Sequence, residues 1–151
     1  MEQQEFEDLI ADEDKAIDGH ITWKVCDDHP DSVEFRVDVA TTGGHLVEVH
    51  GSYNRRIHKL SYVLLHRKYG RIYALDLGRD HRNPDGTSVG ELHKHRWTQA
   101  YGINEAYVPL DITEPATNPV GVWKQFCTEA KLVHKGTMND PPALQLQLTR
   151  T

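Results

Sequence analysis

Apolar and polar residues alternate through most of residues 20–110, which is typical of β-strands that bury one face. In the clearest segment, 33–39, every second residue is valine or phenylalanine. Short turn sequences join the alternating segments, so we expect an antiparallel sheet of about six strands, strongly curved or partly closed. The predicted strands span residues 21–25, 33–39, 46–53, 60–65, 71–77 and 92–97, with a short edge strand at 105–110.

Two other segments have helical spacing. Residues 1–18 place apolar side chains on one face and acidic side chains on the other. In 119–134, apolar residues recur every three or four positions, and Asn118 is a candidate N-cap. The leucines of the tail, 141–151, fit either a final strand or a turn of helix. Together these patterns predict an α+β fold in which the two helices pack against the sheet.

The length of 151 residues suits a single domain, 1–151, with its own core. No apolar run approaches the roughly 20 residues that a membrane span needs. Because the acidic N-terminus also lacks the pattern of a signal peptide, we expect a cytoplasmic protein without membrane contact. Cys26 and Cys127 have no metal-type spacing, and we expect two reduced thiols there, with a disulfide as the alternative.

Charge is unevenly distributed beneath the net charge of −6. Residues 1–50 contain 14 acidic and 3 basic side chains, whereas residues 51–100 contain 4 acidic and 10 basic ones. A local positive region can bind a phosphate or a polyanion even when the whole protein is acidic. The alternative is that acidic and basic segments neutralise each other within the fold.

Three histidines lie in the basic region, around its strongest turn signal. His81 follows the fifth predicted strand, and the Asn-Pro-Asp-Gly turn at 83–86 returns the chain toward the sixth. Strand alternation places His93 and His95 on one face, together with Trp97. We therefore expect the turn to bring His81 close to the histidine pair.

Converging imidazoles support two chemistries. As acid and base they cleave a phosphodiester without a cofactor, and as neutral ligands they bind a transition metal such as zinc. A polar, solvent-facing stripe on an ordinary strand is the structural alternative. The sequence lacks a phosphate-binding P-loop, a dinucleotide fingerprint, a nucleophile elbow and an H-E-x-x-H motif. Around His81, His93 and His95 we predict Arg79, Arg82 and Lys94 as phosphate-binding residues and Asp76, Glu105 and Trp97 as supporting residues.

The H-x-N-P-D-G motif at 81–86, followed by H-x-H at 93–95, resembles a family of small uncharacterised prokaryotic proteins known as a domain of unknown function. It is more distantly similar to toxins of toxin–antitoxin systems that carry histidine-rich loops. The resemblance covers residues 72–112. It implies a prokaryotic or phage origin and a mobile-element or defence setting, and it implies no particular activity.

Two classes of function follow from these features. The first is a small toxin-like ribonuclease or nucleotide-binding protein, with RNA or a nucleotide bound at the histidine site. The second is a non-catalytic interaction protein of the anti-defence type, which binds a basic partner through the acidic N-terminal region. Its partner would be a protein, such as an antitoxin or a defence complex. The sequence leaves open whether the protein is an enzyme.

Overall fold

The computed structural model describes residues 1–145, which form two helices and nine strands. The helices are α1 (Gln3–Ala11) and α2 (Pro119–Ala130). The strands are β1 (Ala16–Asp18), β2 (Lys24–Val25), β3 (Ser32–Val39), β4 (Val47–Asn54), β5 (Lys59–His66), β6 (Gly70–Leu77), β7 (Leu92–Arg96), β8 (Ala106–Tyr107) and β9 (Val133–Lys135). Strands β2 to β8 make an antiparallel sheet in chain order, with β2 and β8 at its edges. The predicted α+β fold is therefore confirmed, and the edge strand predicted at 105–110 supplies the seventh strand.

Helix α2 covers the middle of one face of the sheet, which we call the core face. Tyr62 of β5 is fully buried and donates its hydroxyl to the carbonyl of Pro119 at 2.6 Å. Its ring lies 5.1 Å from the ring of Trp123 and 5.7 Å from the ring of Phe126, between centroids. Such aromatic packing buries a large apolar area between sheet and helix. Among the described helices, none has the length and apolar character needed to cross a membrane.

Helix α1 is shorter than the helix predicted over 1–18, because it ends at Ala11. Lys15, four residues further on, is fully buried and its ammonium group donates to the carbonyl of Ile10 at 2.8 Å. Residues Ala16–Asp18 then form β1, which pairs in parallel with β9. This pairing joins opposite ends of the chain, so the local spacing of apolar residues does not reveal it.

Helix α2 likewise ends at Ala130, before the predicted limit of the 119–134 helix. Lys131 has a left-handed backbone conformation, with φ of 55°, which stops the helix. The chain then enters β9 to complete the pairing with β1. The element predicted in the tail, 141–151, depends mainly on leucines that lie outside the described residues.

Strand β6 contains a β-bulge that changes which face its side chains occupy. The register shifts between Leu64 and Leu65 of β5, so Ile72 is an extra residue in β6. Because of this extra residue, Arg71 lies on the same face as Asp76. Regular alternation would have placed the two side chains on opposite faces. Both therefore belong to the face that points away from the helices, which we call the outer face.

Candidate metal centre

The three predicted histidines converge on the outer face of the sheet. His93 and His95 lie on β7, and the loop after β6 brings His81 against them. One ring nitrogen from each histidine lies within 4.8 Å of those of the other two. His93 is 1% exposed and His95 9% exposed, whereas His81 is half-buried. The convergence predicted from the spacing of His93 and His95 and from the turn after His81 is therefore observed.

A backbone carbonyl fixes the second ring nitrogen of each histidine. His93 and His95 donate through Nδ1, at 2.9 and 2.7 Å, and His81 donates through Nε2 at 2.7 Å. A carbonyl oxygen only accepts hydrogen bonds, so each of these nitrogens carries the hydrogen. In the neutral imidazoles, the lone pair then lies on the nitrogen that faces the cluster. The accepting carbonyl is that of Gly90 for His93, that of Ile103 for His95 and that of Asn104 for His81.

The Asp76 carboxylate lies beside two of the three histidines. Its Oδ2 lies 3.3 Å from His93 Nε2 and 3.5 Å from His95 Nε2. Its Oδ1 accepts a hydrogen bond from the Ser61 hydroxyl at 2.8 Å. Burial would raise the pKa of Asp76, but hydrogen bonds that His93 and His95 donate when their imidazoles are protonated, together with the one from Ser61, outweigh it and hold the pKa well below its usual range. Burial lowers the pKa of His93, and its interaction with Asp76 more than reverses this effect.

The distances from Asp76 to the two imidazoles resemble those between ligand atoms around a metal ion. With bonds of about 2.0–2.1 Å, a tetrahedral zinc site separates neighbouring ligand atoms by roughly 3.3–3.4 Å. The two distances from Asp76 Oδ2 are 3.3 and 3.5 Å. Metal-bound histidines also commonly donate their other ring N–H to a carbonyl or carboxylate, as all three histidines do here. The described residues therefore offer three imidazole ligands, with a carboxylate beside two of them.

The cluster opens into a cleft of about 560 Å³, which we call the histidine cleft. Four cationic side chains line it against the carboxylates of Asp76 and Asp80, and the cations are those of Lys59, Arg71, Arg79 and Arg82. Arg82 donates to the carbonyl of Gly86 at 2.7 Å. Lys59, Arg71 and Arg79 make no ion pair with any residue that the structure describes. Their positive charge is therefore available to an anion in the cleft.

Lys94 is not part of the histidine cleft, although we predicted it as a phosphate-binding residue. It is fully buried on the core face, where its ammonium group pairs with Asp111 at 2.7 Å and with Glu129 of α2. The alternation that directs His93 and His95 outward directs Lys94 toward the helix. Its structural role is to join β7 to α2.

Two predicted supporting residues, Trp97 and Glu105, also lie apart from the cluster. Strand β7 ends at Arg96, so strand alternation does not continue to Trp97. The Trp97 ring instead lies 5.7 Å from the ring of Phe6 in α1, between centroids. Glu105 is exposed, and its side chain makes no hydrogen bond or ion pair with a residue in the described part of the chain. Of the predicted supporting residues, Asp76 is the one whose carboxylate lies at the cluster.

Sequence reasoning did not single out Ser61, Arg71 and Lys59 as site residues. Ser61 lies opposite Asp76 in the pairing of β5 with β6, so the strand register is the signal that would have identified it. Asn83 was recognised only as part of a turn. Its side-chain amide donates to the carbonyl of Ala106 and accepts from the Ala106 amide, both at 2.8 Å. These bonds fasten the His81 loop to β8.

Replacement of Glu129 by glutamine is expected to reduce the loss of stability in acid. Burial would raise the pKa of Glu129, but Lys94 and the Tyr107 hydroxyl lower it from about 4.5 to about 2. A carboxyl with a lowered pKa in the folded state stabilises the fold above its unfolded pKa and loses that contribution as pH falls toward 2. Urea unfolding at pH 4.5, 3.5 and 2.5 measures the effect. An acid dependence equal to that of the wild type would contradict this prediction.

The fold and cleft define a small α+β protein with three clustered histidines in a cleft whose lining has more cations than carboxylates. The chain belongs to the family of unknown function DUF6978, whose pattern matches residues 1–132. The match includes the N-terminal helix, which lies outside the resemblance seen at 72–112. No curated protein and no solved structure matches the chain.

Proposed function

We propose that this protein is a metal-dependent hydrolase of phosphodiesters whose metal is held by His81, His93, His95 and Asp76. The arrangement of the ring nitrogens carries the proposal. Backbone carbonyls occupy one nitrogen of each imidazole, the three histidines offer ring nitrogens within 4.8 Å of one another, and Nε2 of His93 and of His95 lies beside a carboxylate. Lone pairs and a carboxylate repel one another unless a cation or a proton lies between them. A divalent transition metal satisfies all four groups at once.

Acid–base catalysis by the three histidines, without a metal, has less support. A general acid or base must come within hydrogen-bond distance of the substrate. His93 is only 1% exposed, and its Nε2 lies 3.3 Å from Asp76 Oδ2. A phosphodiester in the cleft would therefore have little access to this nitrogen. Buried, carboxylate-facing imidazoles are better suited to ligation than to proton transfer.

The cations of the histidine cleft support a phosphodiester as substrate. A bound metal supplies a Lewis acid and lowers the pKa of water. In the reaction, the water oxygen bonds to phosphorus and the bond from phosphorus to the leaving oxygen breaks. Of the two water protons, one goes to the leaving oxygen and one to solvent. Arg79 and Arg82 would stabilise the negative charge that develops on the phosphoryl oxygens.

Metal analysis of protein purified without an affinity tag, combined with cleavage assays, tests this proposal. We expect about one transition-metal ion per chain, and hydrolysis of bis(p-nitrophenyl) phosphate and of RNA. A chelator should abolish both activities, and added metal should restore them. Chelator-insensitive cleavage would favour the acid–base alternative. Stoichiometric metal without any hydrolysis would contradict the hydrolase and leave a metal-binding protein.

Ser61→Ala is expected to weaken metal binding by about 10- to 100-fold, the usual effect of losing a group that orients a metal ligand. The Ser61 hydroxyl donates to Asp76 Oδ1 at 2.8 Å and so fixes the carboxylate beside the two imidazoles. Competition with a chromophoric chelator measures the affinity. Thr128→Ala, which removes a hydroxyl from α2, serves as the control. Equal affinities in Ser61→Ala and the wild type would rule out this role.

RNA is the first substrate to test, because the resemblance to histidine-rich toxins favours a toxin-like ribonuclease. The resemblance also implies a prokaryotic or phage mobile-element setting. Both cysteines are free, which supports a reducing compartment such as the cytoplasm.

The alternative, an interaction protein that binds through its acidic N-terminal region, has less support. Glu7 pairs with Arg96 at 2.8 Å, and Asp12 accepts from the Thr42 amide at 3.0 Å. Part of the acidic surface is thus engaged within the chain itself.

A further inference from the structure

A second cleft of about 660 Å³ adjoins the histidine cleft on the outer face of the sheet. The two clefts share three lining residues, Ser52, Ser61 and Arg71, and so form one groove, which we call the outer groove. We propose that the outer groove binds a single-stranded polynucleotide along its length and presents one of its phosphodiesters to the histidine cluster. This inference rests on the proposed function and names the substrate class that the site accepts.

Strand register sets the length of the outer groove. The pairing aligns His93, Asp76, Ser61, Ser52 and Glu34 on the five consecutive strands from β7 to β3. Neighbouring strands lie about 4.8 Å apart, so the four steps between these residues cover roughly 19 Å. A mononucleotide is shorter than this distance. The length of the groove therefore suits several linked nucleotides.

Positive charge continues along the outer groove beyond the histidines. Arg71 stands where the two clefts meet, a position that it owes to the β-bulge at Ile72. Lys24 and Arg36 line the second cleft, where Glu34 is the acidic side chain. The Arg36 side chain is 67% exposed and approaches Glu48 only to 4.0 Å. Cations spaced along a groove match a ligand that carries one negative charge per monomer.

The remaining lining indicates contacts with the backbone rather than with particular bases. Serine hydroxyls and the imidazoles of His20 and His50 line the groove, whereas the Tyr53 ring at its border is 6% exposed. Sequence-tolerant binding of single strands combines a cationic groove with stacking on exposed aromatic rings. Here the cations outweigh the aromatic rings. We therefore expect strong salt dependence and little base preference.

Fluorescence anisotropy with metal-loaded protein tests the outer groove. The probes are 12-nucleotide phosphorothioate strands of RNA and of DNA, which keep their charge and resist cleavage, together with a duplex and a dinucleotide. We expect either single strand to bind at least about 10-fold more tightly than the dinucleotide, because more cations are engaged. It should also bind more tightly than the duplex, whose stiff backbone cannot bend toward the buried histidines. Comparison of the RNA and DNA strands identifies which of the two the groove prefers. Duplex binding as tight as single-strand binding would overturn the proposal.

Arg36→Ala and Arg71→Ala should each weaken binding of the 12-nucleotide strand several-fold. Each should also reduce the slope of log affinity against log salt concentration by about 0.7, the value for one phosphate contact with a single strand. Lys124→Ala, which removes an exposed cation from α2 on the opposite side of the sheet, is the matched control. If the slope of log affinity against log salt concentration is unchanged in both arginine variants, the proposal that the outer groove binds a polynucleotide is refuted.

Hydrolysis of bis(p-nitrophenyl) phosphate separates this inference from the proposed function. The small diester needs the metal cluster but does not extend along the groove. The wild type could hydrolyse this diester and yet bind the 12-nucleotide strand no better than the dinucleotide. That result would overturn polynucleotide binding in the outer groove and leave the proposed hydrolase standing. Arginine-dependent binding of the strand without hydrolysis of either substrate would overturn the hydrolase instead.

Discussion

His93→Ala is expected to lower the affinity for a divalent transition metal by more than about 100-fold. Loss of a group that only orients a metal ligand costs about 10- to 100-fold, and loss of the ligand itself should cost more. His93 is the most buried of the three histidines, and its Nε2 lies 3.3 Å from the Asp76 carboxylate. The variant should also lose the stabilisation that the metal gives the fold. At a metal concentration 100 times the Kd, this linkage amounts to about 2.7 kcal/mol.

Thermal unfolding with added zinc and with chelator measures the loss, and chelator competition gives the affinity. His29→Ala removes an exposed histidine whose side chain makes no hydrogen bond to a described residue, so it serves as the control. His81→Ala provides a second test at a half-buried position, in case the His93 variant does not fold. A metal-dependent rise in melting temperature that persists in both cluster variants would disprove the metal site.

Lys94→Met should reduce the free energy of unfolding by about 3 kcal/mol, the lower end of the cost of removing one partner from a buried ion pair. Methionine keeps most of the volume of the side chain but leaves Asp111 and Glu129 without their shared cation. The two carboxylates are 36% and 31% exposed, so water compensates for part of the loss. The effect should therefore fall below that of a fully buried pair.

Urea unfolding near pH 7 measures this change, with Lys124→Met as the control for loss of an exposed lysine. Adding Asp111→Asn and Glu129→Gln to the Lys94 variant should restore part of the stability, because the unpaired charges are then removed. Metal affinity should remain close to that of the wild type, since Lys94 lies on the core face. Stability equal to that of the wild type would contradict the role of Lys94 as the link to α2.

The sequence predicted the parts of the site that depend on strand periodicity. A repeat of two places His93 and His95 on one face, and the turn at 83–86 returns His81 to them. The same repeat places Lys94 on the opposite face, and our prediction of a phosphate contact for it disregarded that consequence. Its partners on α2 and at Asp111 come from distant segments, which periodicity does not identify.

Other features depend on pairing between segments and could not be obtained from local pattern. Arg71 reaches the outer groove through a single unpaired residue, Ile72, which no local signal marks. Ser61 becomes part of the site because it lies opposite Asp76 across two strands. The parallel pairing of β1 with β9 shortens both predicted helices, and it joins residues at opposite ends of the chain.

Strand β7 carries incompatible side chains on its two faces, and this makes correct pairing a condition for the site to exist. A slip of one residue against β6 would turn both imidazoles toward α2 and bring the Lys94 ammonium outward. Glu129 would then lose its cation, and Asp76 would gain one in place of its histidines. Only the native alignment satisfies both carboxylates. Convergence of the three histidines is therefore possible only in a molecule whose strand β7 has paired in its native register.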